Sequence, residues 1–128
     1  LVAGAATTQS VRAEFDRSGV DPAECVILCD IEGEEFALLD DDILAYLSKA
    51  RFVIELHEKA IEDGDAKLDA LIRRAGKYYT TAIFDGGSRD PYDIPVLRDF
   101  RDDDRWLLCS EGRNIYQTWL VLEPLASA

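Results

Sequence analysis

Two short apolar runs, each ending in acid, constrain this chain more than any other feature. The first is Cys25-Val26-Ile27-Leu28-Cys29, which stops at Asp30-Ile31-Glu32-Gly33-Glu34-Glu35. The second is Phe52-Val53-Ile54-Glu55-Leu56, which stops at His57-Glu58 and includes the sequence's only histidine. Runs of this length with so little polar relief predict strands of a parallel sheet, apolar on both alternating faces. Between them, Ile43, Leu44, Leu47 and Ala50 form a helical stripe behind Asp40-Asp41-Asp42, acids that suit a helix N-terminus. Strand, helix and strand then make a βαβ unit whose strands end at the same edge.

The rest of the chain extends that layer. Thr7 and Thr8 are candidate caps for a helix to about Ser18, with Gly19 just past its end. Glu34–Leu39 predicts a helical turn with Phe36 and Leu39 inward, and the Asp40 helix continues to about Ala50. A helix from about Ala66 to Ala75 follows Asp63-Gly64-Asp65 and stops at Gly76. Tyr78–Phe84 reads as a third strand ending sharply at Asp85-Gly86-Gly87. The acidic, proline-broken segment 88–104 predicts a long connection with a weak helical hint at Val96–Phe100. Trp106–Cys109 fits either a short strand or an apolar plug, and Tyr116–Leu122 is a fourth strand closed by Pro124. The expected fold is α/β, a layered sheet with helices packed on it and a final antiparallel strand.

Charge narrows the function. The chain carries 26 acidic and 14 basic residues, a net charge of −12, which argues against nucleic-acid backbones and anionic membrane surfaces as partners. The runs Asp40–Asp42 and Asp102–Asp104 read as solvated caps and loops. No apolar stretch approaches the roughly 20 residues that span a bilayer. Cys25 and Cys29 sit about 13 Å apart on a strand rising ~3.3 Å per residue, too far to bridge. They read as small core residues in a reducing, cytoplasmic setting.

Open α/β sheets bind ligands beyond the carboxyl ends of their strands. Asp30, Glu32, Glu55, His57 and Asp85 all fall at or just past such ends. Gathered there, carboxylates can take a proton, hold a divalent cation or orient a hydroxyl. Gly33 allows backbone or ligand to approach closely at the turn. Glu34, Glu35 and Glu58 read as solvent-facing, while Glu111 and Arg113 form a local ion pair or close the site from the fourth strand's side.

Asp30-Ile31-Glu32-Gly33-Glu34-Glu35, followed by Leu38-Leu39, resembles the Asp-x-Glu-Gly-x-Glu … Leu signature of FkbM-type methyltransferases. In that family the signature ends the fourth strand of the class I, S-adenosylmethionine-dependent fold. Val53–His57 looks like the fifth strand, with Tyr78–Phe84 and Gln117–Leu122 as the sixth and an antiparallel seventh. The resemblance implies the carboxyl half of a Rossmann-like sheet, spanning roughly Val26 to Pro124. It implies Asp30, Glu32 and His57 as catalytic candidates, with Gly33, Glu55, Asp85 and Arg113 around a small-molecule or sugar hydroxyl. The family's glycine-rich cofactor turn after the first strand has no counterpart, and Gly86-Gly87 follows the wrong strand.

Three expectations follow. One is methyl transfer from S-adenosylmethionine, this chain supplying the acceptor side and an upstream half the cofactor side. Another is a non-catalytic binding or assembly domain using the same half-fold. The third is a divalent-metal site serving hydrolysis. Without an upstream half the first strand is an apolar edge, which predicts a homodimer or other association through it.

Overall fold

The computed structural model describes residues 4–86, 89–110 and 117–126. Its elements run α1 (Thr8–Ser18), β1 (Val26–Cys29), α2 (Glu35–Leu38), α3 (Asp41–Tyr46), β2 (Arg51–Leu56), α4 (Gly64–Ala75), β3 (Tyr79–Asp85), α5 (Asp102–Cys109) and β4 (Thr118–Pro124). The fold is α/β with one four-stranded mixed sheet in the order β1-β2-β4-β3. β1 and β2 are parallel, and β4 runs antiparallel between β2 and β3. The three forward strands therefore all end at one edge of the sheet.

Local chemistry explains the element ends. Thr7 caps α1 in a reciprocal box with Ser10, and Gly19 closes the helix at φ 67°. The Asp40 carboxylate accepts the N–H of Ile43 at 2.8 Å and starts α3. α3 is shorter than its apolar stripe predicts, ending at Tyr46, yet Leu47 and Ala50 stay buried because the following turns keep them inward.

The core lies on one face of the sheet. Cys29, Phe52, Ile54, Leu56, Leu120 and Leu122 meet Phe36, Leu39, Ile43, Leu44, Leu47, Leu71 and Ala75 there. Tyr79 joins them, and its hydroxyl donates to the Leu47 carbonyl at 2.7 Å, satisfying a buried polar group. Arg74 reaches across to the Phe36 carbonyl at 3.0 Å, tying α4 to the end of α2.

The opposite face departs from the expectation of a doubly buried first strand. Val26 and Leu28 are 65% and 68% exposed, and their neighbours Val53 and Val121 are only half-buried. β1 is an edge strand, and its two alternating faces see different surroundings: core on one side, solvent on the other. An apolar run alone does not distinguish a strand covered on both faces from one whose second face is bare.

The long connection is also more structured than its acids suggest. It holds single turns of 3-10 helix at Pro91–Asp93 and Pro95–Leu97 and then α5, so Trp106–Cys109 is helical rather than a strand or a plug. Asp102, Asp103 and Asp104 form the first turn of α5, where negative charge meets the positive end of the helix dipole. Among the described residues, no helix is long and apolar enough to cross a membrane. Cys25, Cys29 and Cys109 are all free thiols.

Candidate functional site

The site follows from the strand register. Cys29 pairs with Ile54 in the parallel ladder. One step further along both strands sets Asp30 beside Glu55, and His57, two residues on, returns to the same side. Ligand atoms of Asp30, Glu55 and His57 all lie within 4.8 Å of one another. Glu55 is 2% exposed, and the His57 side chain 7%.

The turn after β1 brings two more acids. Glu32 adopts a left-handed conformation at φ 54°, unusual for a side chain of its size, and Gly33 follows at φ 105°. This reversal brings the Glu32 carboxylate to 3.4 Å from Nε2 of His57, while its side chain stays 85% exposed. Asp30 Oδ1 lies 3.8 Å from the same nitrogen.

Glu35 corrects the solvent-facing reading: it is fully buried. Its Oε1 accepts the backbone N–H of His57 at 2.9 Å and lies 3.2 Å from the ring Nδ1. Its Oε2 accepts the N–H of Gly33 at 2.8 Å. One carboxylate thus binds both strand-end turns and fixes the imidazole. Because Glu35 offers only acceptors, Nδ1–H is the ring donor toward it, and in the neutral ring Nε2 then presents a lone pair. That Nε2 is buried and makes no hydrogen bond. The carboxylates of Asp30 and Glu32, 3.8 and 3.4 Å from it, are acceptors as well.

Asp30, Glu32 and Glu35 gather carboxylates around His57 at this edge. Among the described residues, no Lys or Arg forms an ion pair with Asp30, Glu32 or Glu35. The Cys29 thiol registers this: burial first, then the charges of Glu35 and Asp30, push it up to about 11.

The remaining predicted residues separate. Gly33 is held close, but by Ile61: a Cβ there would lie 2.9 Å from the Ile61 methyl. Asp85 sits at the same sheet edge at the end of β3, yet β4 stands between β3 and β2. With strands ~4.8 Å apart it is roughly 10 Å from the cluster, too far to share a ligand atom with it. Arg113 and Glu111 lie outside the described residues. Glu58 is also buried, 7% exposed, because the 3-10 turn Glu58–Ala60 folds under β4, where Thr118 donates to its carboxylate at 3.5 Å.

Glu35 is the residue that sequence reasoning missed, and a signal for it existed. It lies beside the inward Phe36 and four residues before the inward Leu39, on the same helical face as the latter. No family model, no curated protein and no solved structure matches this chain.

Proposed function

We propose that the carboxyl edge of β1 and β2 is the acceptor side of an S-adenosylmethionine-dependent methyl-transfer cleft, acting on a hydroxyl of a small molecule or sugar. The observation that carries this reading is the state of His57. Its Nδ1 is held by a buried carboxylate, and its buried, unbonded Nε2 faces Asp30 and Glu32 at a strand edge. A hydroxyl placed between these groups donates its proton to Nε2, and Asp30 and Glu32 orient the acceptor through its other hydroxyls. Base catalysis of this kind contributes about 10²–10⁴ in rate, and holding the oxygen in line contributes further. The antiparallel sense of β4, beside parallel β1 and β2, is what the FkbM-type resemblance expects.

The described residues do not themselves fit the methyl donor. Gly33 packs on Ile61, Gly64 packs on the Glu58 backbone, and Gly86 donates its N–H to Gln117. None forms a cradle, and the sequence has no G-x-G-x-x-G turn. The donor would supply the methyl group from a companion segment; these residues seat the acceptor and take its proton.

A second reading, a non-catalytic assembly domain, is favoured by the bare apolar face at Val26 and Leu28. Calorimetric titration of the protein carrying this chain together with a donor-binding half separates the two. Binding of S-adenosylmethionine or its demethylated product supports transfer. No heat with either ligand leaves the assembly role.

A further inference from the structure

We propose that Asp30, Glu55 and His57 form a binding site for a divalent transition-metal cation such as Mn²⁺, Fe²⁺ or Zn²⁺. The inference uses the same edge of the sheet but does not rest on methyl transfer: a cation can bind there whether or not a donor exists.

The proximity of the three ligand atoms, all within 4.8 Å of one another, is the first support. Nε2 of His57 and Oδ1 of Asp30 stand 3.8 Å apart, a gap one ion can bridge with bonds of about 2.0–2.2 Å. Acidic clusters are common on a protein this negative, so proximity alone decides nothing. His57 supplies the independent observation. Its side chain is more than nine-tenths buried, and its Nε2 has no hydrogen-bond partner. In the neutral ring, with its proton on Nδ1 toward Glu35, the Nε2 lone pair faces the carboxylates of Asp30 and Glu32. Acceptor facing acceptor is repulsive, and leaving such a group buried and unpaired is unfavourable. An electrophile between them reverses the sign of every one of these contacts.

Glu35 completes the arrangement. Imidazole ligands commonly donate their other N–H to a carboxylate, which fixes the tautomer and raises ligand basicity. Here that carboxylate is fully buried and fixed by two backbone N–H groups. One imidazole nitrogen with two carboxylates suits borderline ions better than Mg²⁺ or Ca²⁺, which favour all-oxygen shells. Asp30 is half-exposed, so the cation would keep open positions toward solvent for water or an acceptor hydroxyl. A cation on Nε2 engages the lone pair that otherwise takes the acceptor's proton. With a cation on Nε2, Glu32, whose Oε2 lies 3.4 Å from that nitrogen, would be the carboxylate left to take the proton of a coordinated hydroxyl.

The test uses Mn²⁺ alone on the tag-free chain. His57 is the only histidine, so imidazole–nitrogen coupling in pulsed electron paramagnetic resonance reports this site and no other. Expected are saturable binding, nitrogen coupling to bound Mn²⁺, and affinity at least about tenfold weaker in Asp30→Asn, an exposed position whose change leaves the fold intact. Asp103→Asn, in the acidic first turn of α5, should bind as the wild type does. Mn²⁺ binding without nitrogen coupling, binding unchanged in Asp30→Asn, or no saturable binding would each overturn the proposal. Since methyl transfer is read by donor calorimetry, failure of either idea leaves the other standing.

Discussion

Glu35 and His57 lie 22 positions apart in sequence, and the Glu35 carboxylate lies 2.9 Å from the backbone nitrogen of His57 and 3.2 Å from its ring Nδ1. This single side chain sets both the backbone path after β2 and the direction in which the imidazole points. The chemistry of the edge depends on it, although it touches neither Asp30 nor Glu32 in any bond or ion pair.

Replacing Glu35 by Gln tests that dependence. The amide keeps the shape but offers one acceptor where the carboxylate offers two, so either Gly33 N–H or His57 loses its partner. The expected loss is about 1–3 kcal/mol of stability in urea denaturation, together with a mixed His57 tautomer. Unchanged stability would mean that the buried carboxylate is not holding the turns.

Tyr79 gives the fold a pH limit. Burial raises its hydroxyl pKa above the ordinary value of about 10, because ionisation inside the core is disfavoured. A group raised on folding contributes stability that is complete below the unfolded pKa and is lost as pH rises toward the folded one. The chain should therefore lose stability progressively above about pH 10. Tyr79→Phe should cost about 1 kcal/mol near neutrality, for the lost bond to the Leu47 carbonyl, and flatten that alkaline decline. Denaturation midpoints across pH read both effects.

Four of the five strand-edge candidates were legible because periodicity placed them. Asp30, Glu32, Glu55 and His57 follow from where two apolar runs stop, and the parallel register does the rest. Asp85 follows the same rule but fails in space, because β4 inserts between β2 and β3 and no local pattern encodes that insertion. Glu35 was masked by its neighbours: in a run of acids only its helical spacing from Leu39 marks it, and the hydrogen bonds from Gly33 and His57 that hold it inside are tertiary. α5 was hidden because prolines precede it and three Asp residues open it, a composition shared by loops and by helix first turns. The bare face of β1 could not be read either, since the same apolar run suits a covered strand.

Gly64 is a packing requirement at the start of α4. A Cβ there would fall 1.8 Å from the Glu58 carbonyl oxygen. Ala gains about 1 kcal/mol over Gly in helix propensity, yet the backbone clash outweighs it. Gly64→Ala should cost about 3 kcal/mol or more, measured by thermal or urea unfolding. A stabilised variant would contradict the placement of the Glu58 turn.

Leu28 tests the open edge. It is 68% exposed on an edge strand with unpaired backbone groups, so the wild-type chain should self-associate at tens of micromolar in sedimentation velocity. Leu28→Glu should reduce that association while changing stability by no more than about 0.5 kcal/mol. A monodisperse wild-type monomer would contradict association through this edge.

The central claim is that Glu35 holds His57 with a free Nε2 lone pair at the acceptor edge. Long-range proton–nitrogen NMR of the metal-free chain reads this directly, because a single histidine gives a single imidazole pattern. In the neutral form of the ring the expected tautomer carries its proton on Nδ1 and leaves Nε2 bare, with that preference weakened in Glu35→Gln. A neutral ring protonated at Nε2, or averaging freely between tautomers in the wild type, would contradict it.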